Sequence, residues 1–152
     1  MRKILYSLFL VAAIVACQDL YDAPPQSLLE VKLTNVDTLS NRIPKVSVYG
    51  VDQDSIWIYQ VQTNAFRLPL SLEETTSFVL LLDSIADTLT IRHSNELIFE
   101  SAESGFYHEF KILDVGHSFN QIDDYEVTDS MVTKNWHENI ELYILSVPAG
   151  DN

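Results

Sequence analysis

Ser104 and His108 place a hydroxyl nucleophile and a base four residues apart, with Gly105 between them. Acyl transfer needs such a pair held together, with donors for the oxyanion. Nothing else completes that site. There is no G-x-S-x-G elbow, and the four glycines (Gly50, Gly105, Gly116 and Gly150) are too scattered for a phosphate-cradling loop. The histidines, His93, His108, His117 and His137, form no i, i+2 or i, i+4 pair, whereas zinc requires three or four convergent ligands. His108 falls in register with Phe106 and Phe110 and reads as a hydrogen-bonded histidine at the margin of a core. Two acidic stretches invite calcium. Asp52-Gln53-Asp54-Ser55 opens like a calcium loop, yet Trp57 takes the sixth position, where the turn needs glycine, and Thr63 the twelfth, where a bidentate glutamate belongs. Asp123, Asp124, Glu126 and Asp129 are denser but lack a spacing that fixes a coordination shell. The expectation is a chain with no catalytic residue, no metal and no other cofactor. Paired carboxylates acting on glycans remain the enzymatic alternative.

The elements that would position these residues are strands. Leu29, Val31 and Leu33 alternate with Glu30 and Lys32, and Val46 and Val48 with Lys45, Ser47 and Tyr49. Ile56 to Gln62 is apolar on both faces, which predicts a covered strand with Trp57 and Tyr59 in the core; a solvent-facing strand would instead make them an aromatic platform. Pro69 places Arg67 to Leu70 at an edge or a bulge. Phe78 to Leu82 is apolar throughout and reads as central. Leu89 and Ile91 lead to an interruption at His93, Ser94 and Asn95, which suggests a bulge before Leu97 and Phe99. Phe106, His108, Phe110 and Ile112 share a face. Asn139 to Val147 is the last strong strand, and Glu73 to Ser77 has room for one helical turn. No stretch sustains a 3.6-residue apolar period. The fold class expected is all-β, a single immunoglobulin-like β-sandwich of about 7–9 strands.

The start of the chain bears on location. Arg2 and Lys3 precede an apolar run, Ile4 to Ala16, broken only by Ser7, and the run ends Ile14-Val15-Ala16-Cys17. Thirteen helical residues span about 20 Å, short of the ~30 Å hydrocarbon core. The stretch resembles a bacterial lipoprotein signal peptide ending in a lipobox, the other reading being an ordinary secretory leader cut near Ala16. Cys17 is the one cysteine in the chain. The resemblance implies that its sulfur carries a diacylglyceryl group and its amine, after cleavage, a third acyl chain. At about 0.8 kcal/mol per buried CH₂, two or more chains anchor firmly. Residues 1–16 are thus expected to be a signal peptide, 17–27 a lipidated cysteine and a proline-containing tether, 28–148 the domain and 149–152 a tail. Without Arg2 and Lys3, nine basic residues become seven against 22 acidic ones, and the net charge moves from −13 to −15. That balance argues against nucleic acid, whose binding rests on Lys and Arg neutralising phosphates.

Four short runs carry a wider resemblance: Leu68-Pro69-Leu70, Asp87-Thr88-Leu89-Thr90, Glu103-Ser104-Gly105-Phe106 and the last strand from His137. Together with the lipobox they are similar to an uncharacterised family of small Bacteroidota lipoproteins. Ser104 stands where that family usually has cysteine, and Glu138-Asn139 intervene between His137 and Ile140. The resemblance implies location and fold and carries no activity. The expectation is therefore an envelope lipoprotein held on the outer membrane through Cys17, a non-catalytic binding or structural partner of another envelope protein.

Overall fold

A computed structural model describes residues 23–37, 42–53 and 55–145. Within them run ten strands: β1 (Leu28–Asn35), β2 (Lys45–Gly50), β3 (Ile56–Gln62), β4 (Ala65–Pro69), β5 (Thr75–Leu82), β6 (Ile85–Ser101), β7 (Gly105–His117), β8 (Ile122–Val127), β9 (Met131–Val132) and β10 (Glu138–Ile144). They form a four-stranded sheet, β4-β1-β10-β8, and a six-stranded sheet, β3-β2-β5-β6-β7-β9, in a sandwich-like arrangement in which one sheet curls into a half-barrel. All-β with two sheets is as expected. The strand number is higher than the 7–9 read from the sequence, because β9 is only two residues long and β8 is too acidic to read as a strand.

Alternation explains most of the elements. Leu29, Val31 and Leu33 of β1 point into the core, as do Ile140, Leu142 and Ile144 of β10. The two strands lie side by side in parallel, with Leu33 opposite Leu142. Phe78, Leu80 and Leu82 of β5 meet Val46 and Val48 of β2 and Leu89 and Ile91 of β6 in the same core, each fully buried aliphatic contributing about 1.5–3 kcal/mol. β5 is central, between β2 and β6, as its apolar run suggests. β4 is an edge, as Pro69 requires. The bulge read at His93 is also present: the register between β6 and β7 shifts between Arg92 and His93.

Local chemistry sets the turns. Asp83 takes φ +56° in the two-residue turn joining β5 to β6, a conformation aspartate tolerates, and its Oδ1 accepts the Lys45 N–H. The β6–β7 turn is built on Ser101, whose Oγ accepts the N–H groups of Glu103 and Ser104, and it closes through Gly105 at φ +74°. A side chain at that φ would be strained, which is why glycine stands there. Glu73 to Ser77 holds no helical turn; the chain bends at residues 72–74 and enters β5. Cys17, the first half of the tether, Asp54 and everything after Leu145 lie outside the described residues.

Candidate functional site

Among the described residues four strands have a free edge, and three of them are closed to further pairing. In β4 Pro69 has no N–H, Thr63 Oγ1 accepts from Ala65 N and donates to Ala65 O, and the Trp57 indole donates to Arg67 O at 2.8 Å. In β8 the exposed Asp123, Asp124 and Glu126 confront any incoming strand with like charge. β9 is too short to template a partner. Such devices are how sheets avoid edge-to-edge association. β3 lacks them. Its sequence, IWIYQVQ, has no charge and no proline, and among the described strands it pairs only with β2.

β3 is thus an edge, contrary to the covered strand expected. Trp57 is 51% and Tyr59 66% exposed, and Ile56 and Val61 are also open to solvent. The reason is positional: apolar residues on both faces usually mean cover on both, but among the described strands β3 is the last of its sheet, and it reaches β4 through the Trp57 indole. The pairing with β2 is bulged twice, at Gln60, with φ +50° and its N–H donated to Ser47 Oγ, and at Trp57, which is skipped between Ile56 and Ile58. Two grooves flank the strand. One of about 480 Å³ runs between Ile58 and Val61 and the residues Leu28, Ala65 and Arg67. The other, of about 550 Å³, lies between Ile56 and Trp57 and the chain from Leu70 to Thr76. Both fall within the range of ligand-binding clefts.

Arg67 organises the ground beside this edge. Its guanidinium stacks 4.4 Å from the Trp136 ring centroid, and its Nε donates to Glu30 Oε2 at 2.7 Å. The Trp136 indole in turn donates to Gln26 O, pinning the end of the tether. Exposed ion pairs of this kind are worth roughly 0–1 kcal/mol, so their effect is to fix position. No sequence pattern signals Arg67 or Trp136, because the partners are 69 residues apart in the chain.

The other expected candidates are held separately. Ser104 enters the hairpin turn through its N–H, and His108 Nδ1 bonds Asn95 Oδ1, so no hydrogen bond joins Ser104 to His108. His117 bonds the Ser118 carbonyl and lies against Phe119. His137 lies between the Asn135 carbonyl and the Asp129 carboxylate, 3.0 Å away. The Asn135 bond, helped by Asp129, raises the His137 pKa. Asp129 is so engaged, Asp124 accepts the Tyr125 N–H, and Glu126 accepts from the Tyr143 hydroxyl. Among the described residues no three His, Cys, Asp or Glu side chains converge.

His93, which the sequence marks only as part of a bulge, is fully buried. Nε2 lies 2.9 Å from Thr76 Oγ1, Nδ1 has no partner, and the ring meets Phe110 edge-on at 5.3 Å. Burial lowers its pKa below the ordinary 6.5, because the imidazolium cannot be hydrated there. A depressed folded value means that stability is intact above 6.5 and falls as pH drops through the folded value. His93→Phe, expected to keep the ring packing, should abolish that acid limb. Thermal midpoints at pH 7.5 and pH 5 measure it, and equal losses in both proteins would refute the assignment.

Residues 45–144 match a family of unknown function (DUF6452). No curated protein matches the chain, and no solved structure does. The matched segment runs from β2 to the end of β10 and so contains the open β3 edge, the buried His93 and the long β6–β7 hairpin. Covering most of the chain, the match establishes that this protein belongs to the DUF6452 family.

Proposed function

We propose that this protein is a lipid-anchored envelope lipoprotein of the outer membrane, in its periplasmic or surface leaflet, that binds a partner protein without catalysing a reaction. The anchor reading is supported by the leader and by Cys17 directly after Val15-Ala16. The fold is taken as immunoglobulin-like, supported by two sheets in a sandwich-like arrangement whose strands pair antiparallel except β1 with β10. The observation that carries the binding role is the contrast among sheet edges. Three are closed by proline, carboxylates or brevity, while β3 is uncharged, exposes Ile56, Trp57, Tyr59 and Val61, and lies beside two grooves. Strand addition uses such an edge: main-chain hydrogen bonds give affinity, and alternate side chains reach the flanking grooves for specificity. The partner is accordingly an extended segment of another envelope protein.

The test is crosslinking in intact cells from a photoreactive residue at Tyr59, followed by mass spectrometry of what is captured. A single protein should be recovered well above a control probe at Asp123. With the probe kept at position 59, the double variant Ile56→Lys, Val61→Lys should lower its yield about tenfold, as edge lysines deter pairing. Equal capture from positions 59 and 123 counts against the docking edge. Labelled palmitate in the native protein but not in Cys17→Ser tests the anchor independently.

A further inference from the structure

Past Asn95 and Phe110 the β6–β7 hairpin leaves its neighbours behind. β5 last pairs at Arg92, and β9 reaches only Phe110 and Lys111. The projecting arm comprises residues 96–108, and its two faces differ. On one, Tyr107 is buried beside Lys134, whose ammonium lies 5.6 Å from the ring centroid and 2.6 Å from both carboxylate oxygens of Glu100. On the other, Leu97, Phe99 and Phe106 are 56%, 60% and 57% exposed. The Phe99 and Phe106 rings pair across the strands at 5.1 Å.

The register fixes which way this arm points. Asp87, near the start of β6, accepts the N–H of Ile122. Ile122 pairs with Ile144, and Ile144 with Asn35, the end of β1 remote from Leu28. The tip of the hairpin, at the opposite end of β6, therefore lies at the pole where β1 begins. The tether arrives at that pole too: Ala23 to Ser27 line one groove of about 460 Å³ together with Phe106 and His108.

We infer that Leu97, Phe99 and Phe106 sit in the interfacial layer of the bilayer that carries the Cys17 acyl chains. This rests on the lipid anchor proposed above. Six residue steps lead from Cys17 to Ala23, a contour of about 20 Å, so the membrane surface lies within reach of this pole. Aromatic and aliphatic side chains on one face of a projecting element suit the boundary between headgroups and acyl chains. The charges on the arm select the lipid. Glu96 and Glu103 are exposed and would be repelled by anionic headgroups, so the surface is a zwitterionic one.

The lipidated protein, carrying a nitroxide on Phe99→Cys, on Leu97→Cys or on Asp123→Cys at the far pole, is reconstituted into phosphatidylcholine vesicles. Cys17 is consumed by lipid, so each new thiol is unique. Collisions with oxygen relative to a water-soluble nickel complex should be several-fold higher at positions 97 and 99 than at 123. Mixing in phosphatidylglycerol should bring those ratios down toward the value at 123. An acylated protein that floats with the vesicles yet is as wet at 97 and 99 as at 123 overturns the arm contact and leaves the anchor standing. A protein without acyl chains overturns the anchor, and the arm contact with it. Shielding that grows with protein concentration at fixed lipid assigns the face to a second copy and overturns the bilayer contact.

Discussion

Asp87→Ala should lose about 3–4 kcal/mol of stability, read as a lower urea midpoint at unchanged slope in tryptophan fluorescence. Asp87 is almost wholly buried, and its carboxylate holds the loop from β7 to β8. Oδ1 accepts from Ser118 Oγ at 2.6 Å and Asn120 N at 2.9 Å, and Oδ2 from Gln121 N at 2.7 Å and Ile122 N at 3.1 Å. Alanine leaves all four donors without that acceptor. Ser118 and Asn120 are near enough to solvent to find water, so the loss falls chiefly on Gln121 and Ile122, at about 1–3 kcal/mol each. Asp123→Ala, on the exposed β8 edge, should stay within about 0.5 kcal/mol. Burial pushes the Asp87 pKa up, but the four hydrogen bonds outweigh it and the net value is lowered from 3.8. A lowered carboxylate pKa gives stability that is present above 3.8 and lost as pH falls through the folded value. The gap between wild type and variant should accordingly narrow below that pH. A loss under about 1 kcal/mol at pH 7 would show that the loop does not depend on this carboxylate.

The same residue shows what a sequence displays and what it withholds. Asp87-Thr88-Leu89-Thr90 is visible as a motif, and its alternation places Leu89 in the core. The role of the aspartate depends on amides more than thirty residues away, which no local pattern can announce. Pro69 at an edge, Phe78 to Leu82 in a centre and the bulge at His93 were legible because each follows from the residue's own backbone or burial preference. β3 misled for a related reason. Two apolar faces report how greasy a strand is, not whether another strand will lie beyond it. The parallel pairing of β1 with β10 and the strand character of the acidic β8 are likewise decided by partners distant in the chain. The acidic residues 123, 124 and 126, which suggested calcium, take on a different sense once β8 is an edge: they keep it from pairing, while β3 stays open.

Asn139 carries the second large prediction, because it ties the two sheets together where β1 and β10 fall out of step. The register shifts between Glu30 and Val31, which pair with Glu138 and Ile140, so Asn139 is the extra residue of β10. Its side chain turns inward and is fully buried. Oδ1 accepts the Glu30 N–H at 3.1 Å, and Nδ2 donates to Met131 O at 2.8 Å and Asp129 O at 3.2 Å. Glu30 belongs to the four-stranded sheet and Met131 to the six-stranded one, so one amide serves both. Asn139→Ala should cost about 2–4 kcal/mol by orphaning buried backbone groups. Asn139→Asp, nearly the same shape, should be worse at neutral pH. It keeps an acceptor for Glu30 but aims a carboxylate at the two carbonyl oxygens of Asp129 and Met131. Acidification should then partly rescue the aspartate variant, since a protonated carboxyl can donate to one of those carbonyls, and should do nothing for alanine. Urea midpoints for the three proteins at pH 7 and pH 4.5 give the order. If aspartate proves more stable than alanine at pH 7, the amide is not acting as a donor to β9 and its approach, and the junction between the sheets has to be held by packing alone.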